Sequence, residues 1–395
     1  MRKPLLLLAL ILFVVPGFAA RRVSISELEQ TLTRLHGKPD AEQAYRIAEL
    51  ELSERLSAAR LKQLQESVPG DQSRQALLAL ADASAFQDPP AAELPPAAAP
   101  DLAEQKRIMG LVVAYVGKTI PQLPNFIATR ATTRFEDTPQ IQRPDGLLPY
   151  QPLHPVGSSR ATTLYRDGRE VDDPEGGQGK KPAAVTGLKT WGEFGPILGI
   201  VLVDAARSRL VWSHWEEGSS GPLAVFHYEV PRERSHYEVT YCCITEERAT
   251  TPDLLPFHKI VDYHGEIAAD PATGAILRIT IESEMKVGDP VQMARLLVEY
   301  GPVEIGGRSY ICPQRSVSVS LAESLQFSER YLIPEALQLH PQKTMLNHVV
   351  FEDYHLFRAE ARIIPGGAGA EVAAAEKPQP PTAPAAAAPA ASLAP

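Results

Sequence analysis

Apolar positions along this chain change period twice. Between residues 24 and 84 they recur at helical spacing. Ile25, Leu28, Leu32 and Leu35 form one stripe. Ser24 opens it with Glu27 three positions on, a pairing in which the hydroxyl takes the N3 amide and the carboxylate reaches back. Gly37 stops this helix, and Asp40 with Gln43 repeats the opening signature before a long segment that ends near Val68. Its apolar face is Ile47, Leu50, Leu56, Leu61 and Leu64, with Pro69-Gly70 as terminator. A third helix is predicted over 71–85, carrying Leu77, Leu78 and Leu80. Three such faces need covering, most simply by one another. After an Ala/Pro stretch at 88–100, Asp101 and Glu104 open a fourth helix with a stripe of Ile108, Leu111, Val112, Tyr115 and Val116, closed by Gly117 and Pro121.

From about 125 the period becomes two. Strands are predicted over 126–135, 162–166, 169–171, 209–216, 223–230, 237–244, 260–268, 275–285, 296–305, 308–311, 316–321 and 349–363. Asp167-Gly168 and Gly306-Gly307 have the composition of two-residue hairpin turns, and 270–274 forms a longer one. Strands joined this closely must run antiparallel. Residues 193–206 are the one interior stretch of helical character. The expected fold class is therefore α+β: a large curved antiparallel sheet packed on helices, preceded by a small all-α N-terminal unit. The expected layout is a signal peptide at 1–19, a helical unit at 20–87, a linker at 88–100, a helix plus antiparallel β-domain at 101–365, and a disordered Ala/Pro tail at 366–395.

Composition adjusts this layout. Of 36 prolines in 395 residues, eleven fall within 89–100 and 366–395, so part of the proline excess marks boundaries. A hydrophobic fraction of 44% can fill a core, which excludes a wholly disordered chain. A net charge of −9 argues against a nucleic-acid binder, which needs a basic face to neutralise phosphates. At the N-terminus, Arg2 and Lys3 precede an apolar run of Leu5–Val15, broken by Pro16-Gly17, with Gly17-Phe18-Ala19 supplying the small residues of a cleavage site. A helix over that run rises about 16 Å, against ~30 Å for a bilayer core. The expectation is export by a cleaved leader to the periplasm or beyond, with no membrane-spanning segment in the mature chain.

Candidate chemistry is sparse. His-aromatic-Glu occurs at His214-Trp215-Glu216, His227-Tyr228-Glu229 and His236-Tyr237-Glu238, and Asp-Tyr-His at Asp262–His264 and Asp353–His355. In a strand, positions i and i+2 share a face, so each imidazole stands beside its carboxylate while the aromatic points the other way. One reading is a metal or acid/base site built across strands, hence a hydrolase. The plainer reading, preferred here, is a polar face over an aromatic one, with no catalytic residue, metal or cofactor assigned. The aromatic face, with Phe226, Tyr228, Tyr237 and Tyr241, is then either a lining for an apolar ligand or filled core. Among the three cysteines, Cys242 and Cys243 alternate faces, so either could bridge to Cys312.

Several motifs together carry a resemblance: Leu123-Pro124-Asn125-Phe126 leading to Thr132-Thr133-Arg134-Phe135, Trp191–Gly195, Val261–Gly265 with Asp270-Pro271, Tyr310–Pro313, and Phe351–Arg358. In these the chain resembles a family of exported bacterial proteins without an assigned activity. Its β-region is distantly similar in architecture to periplasmic lipoprotein-carrier and sensor domains. That resemblance implies an apolar ligand or a protein partner. With the aromatic faces and the lack of a nucleophile or metal motif, the expectation is non-catalytic binding of a lipid, a lipoprotein or an envelope partner, the alternatives being the hydrolase above or a scaffold whose helical unit docks onto another protein.

Overall fold

In a computed structural model of the chain, residues 20–357 are described, apart from 69, 144–145, 173–185, 220, 246–253 and 324–341. The predicted leader (1–19) and the Ala/Pro tail (366–395) lie outside the described residues, as do 358–363 of the last predicted strand.

The N-terminal region comprises β1 (Arg21–Val23), α1 (Ile25–Leu35), α2 (Asp40–Ala48), β2 (Leu50–Leu52), α3 (Ala58–Ser67) and α4 (Asp71–Ala83). The capping box at Ser24 forms as its spacing predicts: the Glu27 amide donates to Ser24 Oγ, and Glu27 Oε2 accepts the Ser24 amide at 2.8 Å. The long helix predicted over 40–68 is instead broken in the middle. Leu50-Glu51-Leu52 alternates buried, exposed, buried, and pairs in parallel with Arg21–Val23. Ser57 then caps a new helix by accepting the Arg60 amide. The region is thus helical with one short parallel ladder, and Leu28, Ile47, Leu52 and Leu77 form its buried core.

The chain continues through α5 (Leu102–Ala114) into β3 (Phe126–Thr138), the short pair β4 (Ile141–Arg143) and β5 (Gly146–Leu148), β6 (Gln151–Arg166), β7 (Arg169–Asp172) and β8 (Gly187–Lys189). Then come α6 (Pro196–Ala206), β9 (Arg209–Gly218), β10 (Gly221–Val230), β11 (Glu238–Thr245), β12 (Leu254–Ile260), β13 (Asp262–Ala269), β14 (Ile276–Glu284), β15 (Val291–Ile305), β16 (Arg308–Glu323) and β17 (Gln342–Leu356). Ten strands form one antiparallel sheet in the order β7-β6-β3-β17-β16-β15-β14-β13-β10-β9. The fold class is α+β, as the periodicity predicts. A smaller sheet, β12-β11-β8, stands beside it. Both two-residue turns close as expected, with Asp167 at φ 53° and Gly168 at 78°, and Gly306 at 61° and Gly307 at 78°.

The middle of the sheet is buried on both faces, which is why β15 carries the continuous run Leu296-Leu297-Val298. Leu296 and Val298 face α5 and α6, with Val112, Leu198 and Val201. Leu297 faces the other way, with Phe135, Val317, Val319 and Leu346, against Ala79 of α4 and Ala85. Asp82, fully buried on α4, joins this second contact through Arg315 (2.5 Å) and His348 (2.9 Å). At the β10–β13–β14 end the second face carries only Leu223, Val225, Ala268 and Leu277, and then turns polar.

The bridge expected between Cys312 and either Cys242 or Cys243 does not form. Cys242 and Cys243 are bonded to each other across a cis peptide bond, and Cys312 is free and buried. Alternation of faces requires an unbroken ladder, whereas the register of β11 against β12 shifts between Tyr241 and Ile244, at the two cysteines themselves. Burial pushes the Cys312 thiol up to about 12.

Gly274 seats α5 on the β13–β14 turn. Its φ is +76°, and a Cβ there would stand 2.3 Å from the Leu111 carbonyl carbon. Gly274→Ala combines a left-handed backbone with a clash against a helix, so it is expected to cost about 3 kcal/mol. Urea unfolding measures this, and a loss under 1 kcal/mol would contradict the seating.

Candidate functional site

The four aromatic positions singled out from sequence are all buried. Phe226 on β10 packs with Ile108 of α5 and Ala224, and meets Trp212 edge to face at 5.4 Å. Tyr228 donates its hydroxyl to the Thr280 carbonyl at 2.6 Å and stacks edgewise on Tyr263. Tyr237 lies 5.3 Å from Tyr263 between ring centres. Tyr241 donates to the Met345 sulfur. Burial pushes the Tyr241 hydroxyl up to about 12 and that of Tyr228 well above its ordinary value. The Tyr228 and Tyr241 hydroxyls have partners inside the protein, and α5 and α6 cover the face. These rings are core, and none of the four lines the cavities of about 1070, 460 and 140 Å³.

The opposite, polar face is where the sequence motifs meet. Strand register sets His227 opposite Glu266, Glu229 opposite His264, His264 opposite Glu282, and Asp262 opposite Glu284. His227 Nε2 lies 3.5 Å from Glu229, His264 Nδ1 lies 3.0 Å from Glu284, and the two rings are 6.1 Å apart. Arg209 reaches Glu229 at 2.7 Å, and this hydrogen bond holds the carboxyl below its usual range. Burial raises Glu282, with the charges of Arg295 and His264 opposing it. Above these groups lies an open cleft of about 1070 Å³, rimmed also by Glu233 and Arg234. Its walls hold four carboxylates (Glu229, Glu233, Asp262 and Glu284) against two guanidiniums. A smaller cavity of about 140 Å³ shares His227 and His264 and reaches Arg55, Glu266 and Glu282.

The other copies of the motif go elsewhere. His214 sits 3.6 Å from Glu216 on β9. His236 gives its amide and Nδ1 to the fully buried Asp204, which also accepts the Tyr263 hydroxyl at 2.8 Å. Asp353, at φ 55°, and His355 flank an irregularity in β17. So two of the five motifs converge. Sequence reasoning missed Arg209, Arg234 and Glu284; the β9–β10 hairpin sets Arg209 opposite Glu229, and the pairing of β13 with β14 sets Glu284 opposite Asp262.

Chemically most of the cleft's charged groups are paired, as Arg209 is with Glu229 and His264 with Glu284. Its lining hydroxyls are Ser208 and Tyr263; Ser208 Oγ is buried and unpartnered, and Tyr263 is committed to Asp204. Neither forms a hydrogen bond with His227 or His264, so no nucleophile–base pair forms there. Among the described residues, no group of three His, Cys, Asp or Glu side chains is placed to hold a metal ion. No helix among them is long and apolar enough to cross a membrane.

No family model matches the chain, and no curated protein matches it. Among solved structures the chain is similar to one from the complex structure of Pseudomonas aeruginosa MucA/MucB. Identity is 10%, the match covers 64% of this chain and 100% of that one, and the TM-score is 0.19. The architecture described above accordingly rests on the strand register itself.

Proposed function

We propose that this is a non-catalytic exported protein that takes a basic segment of an envelope protein partner into the cleft over β10, β13 and β14. The observation that carries the reading is the contrast between the two faces of this end of the sheet. The aromatic face is covered by helices, while the polar face is an open cleft with an excess of carboxylates. Paired charges around an open volume favour recognition over catalysis, because they fix register and select a partner of opposite sign. Export is supported by the leader-like sequence at 1–19.

The test is site-specific photo-crosslinking in living cells. A photoreactive side chain at Glu233 is expected to trap a protein whose crosslinked segment is rich in Lys and Arg. The same probe at Lys62, on α3, is expected to trap nothing. Reversing the cleft's charge with Asp262→Lys and Glu284→Lys should reduce the adduct at least tenfold. A lipid adduct at Glu233, or an adduct indifferent to the reversal, would overturn the reading.

A further inference from the structure

A second cavity, about 460 Å³ in volume, lies between the N-terminal helices and β6, well apart in sequence from the cleft residues. Arg21 of β1, Arg34 of α1 and Arg46 of α2 all line it. Arg21 and Arg34 both donate to one acceptor, Thr31 Oγ1, at 3.4 Å and 3.2 Å. Two guanidiniums are thereby brought to a single hydroxyl. Among the described residues neither forms an ion pair with a carboxylate; Arg46 alone is paired, with Glu49 at 3.0 Å. The chain as a whole carries a net charge of −9, so this local excess of positive charge runs against the general balance. Apart from Thr31 and from Glu49, the partner of Arg46, the rest of the wall is apolar or aromatic, with Leu35, Leu50, Pro152 and the rings of Tyr45 and Tyr150. Tyr45 is 49% exposed despite its size.

The Glu27 carboxylate acts on Arg21 only at longer range than an ion pair, so the two guanidiniums repel, and an anion placed between them turns that cost into attraction. Guanidiniums approaching from two different elements suit an anion with oxygens in several directions, which a tetrahedral phosphate has and a flat carboxylate lacks. The adjoining apolar wall needs a partner too, and the volume falls in the usual range for small-molecule sites. We propose that this cavity binds a phosphate group carried on an apolar stem, with Arg21 and Arg34 as its anion ligands and the Tyr45–Tyr150 side as the seat of the stem. The same chemistry could be presented by a soluble phosphomonoester or by a phospholipid headgroup at a bilayer surface.

The experiment uses the exported chain and its Arg21→Gln, Arg34→Gln double variant. Both arginines are exposed, so the variant should match the parent in circular dichroism and in Tm without ligand. Calorimetric titration with octyl phosphate is expected to show saturable binding, a raised Tm, and at least a tenfold weaker Kd for the variant. Inorganic phosphate should bind at least tenfold more weakly than octyl phosphate, and octyltrimethylammonium should not bind. Flotation with phosphatidylglycerol vesicles, compared with phosphatidylcholine vesicles, identifies the source. Arginine-dependent flotation without octyl phosphate binding assigns a lipid headgroup, and the reverse assigns a soluble ester. Absence of both, equal binding by the variant, or equal binding of octyltrimethylammonium would overturn the proposal. Equal affinity for inorganic and octyl phosphate would overturn the role of the apolar wall.

Discussion

Replacing Glu216 with Gln is expected to cost about 4 kcal/mol of unfolding free energy at pH 7, far more than any change on the exposed surface. Glu216 on β9 is the shared acceptor of two buried guanidiniums. Arg278 of β14 reaches it through Nη1 at 2.5 Å and Nη2 at 2.8 Å, and Arg55, from the segment between β2 and α3, reaches it at 2.7 Å. All three side chains are at most 14% exposed. Burial by itself would raise the Glu216 carboxyl. The His214 ring 3.6 Å away, the hydrogen bonds from Arg278 and the charges of Arg278 and Arg55 outweigh it and hold the carboxyl far below the usual range. Without that charge, Arg55 and Arg278 face each other in a poorly solvated site, with Glu266, 3.3 Å from Arg278, and the charge of Glu299 left to compensate. Arg55→Met should be much milder, about 1 to 2 kcal/mol, because it removes one charge and leaves the bidentate Glu216–Arg278 pair intact. Since the folded carboxyl titrates below its unfolded value of 4.5, its contribution is present above that pH and fades as pH falls. The gap between wild type and Glu216→Gln should therefore be constant from pH 6 to 8 and shrink below about 4.5. Urea unfolding of both variants across that range is the measurement. A gap under 1 kcal/mol at pH 7 would mean that water has access to the network.

That network also shows what the sequence could and could not disclose. Local devices were legible. The Ser24–Glu27 box, the Asp167-Gly168 and Gly306-Gly307 turns, and the period-two runs of β10 and β14 each depend on residues a few positions apart. Pairings between distant segments were not legible. Leu50–Leu52 reads as part of a helical stripe because its apolar residues also fit a period near four; only its ladder with Arg21–Val23 makes it a strand. The convergence of His227 with His264 depends on β13 lying beside β10, and the contact of Arg55 with Glu216 on the N-terminal region lying on β9. The spacing sets Phe226 with Tyr228 on one face and Tyr237 with Tyr241 on another, but that β11 belongs to a separate sheet, and whether these rings meet a ligand or a helix, depends on where distant segments settle. Chain-distant packing decided each of these points, and composition and periodicity do not encode it.

Wild-type protein should lose about 2.5 kcal/mol of stability between pH 5 and pH 8 through one side chain, and Glu170→Gln should not show that loss. Glu170, on β7, accepts the amides of Gly192 at 3.1 Å and Phe194 at 2.9 Å, in the turn that leads to α6. Between those two residues stands Glu193, fully buried, with neither carboxylate oxygen in a hydrogen bond and Arg130 at 3.3 Å. Arg130 gives its Nη2 to Thr190 at 2.6 Å, so it serves Glu193 only as a neighbouring charge. Burial first, and then the charge of Glu193, push Glu170 up to about 7. A carboxyl whose folded pKa exceeds its unfolded value of 4.5 takes up a proton on folding. Its contribution is complete below the unfolded value and is lost as pH rises through about 7, the opposite sense to Glu216. Glu170→Gln also removes an acceptor from one of the two amides, so its stability should be offset from wild type by about 1 to 2 kcal/mol at pH 5. The informative quantity is therefore the difference in slope. Glu193→Gln should fall between the two, because it removes the like charge and leaves the burial. Chemical denaturation at pH 5, 6, 7 and 8 separates the three proteins, and parallel curves for wild type and Glu170→Gln would refute the assignment. Because the pair anchors the turn ahead of α6, and α6 covers the aromatic face, deprotonation near neutral pH should loosen that cover first. Hydrogen exchange in residues 196–206 should then quicken between pH 6 and pH 8 in wild type, once corrected for the intrinsic rate, and stay level in Glu170→Gln.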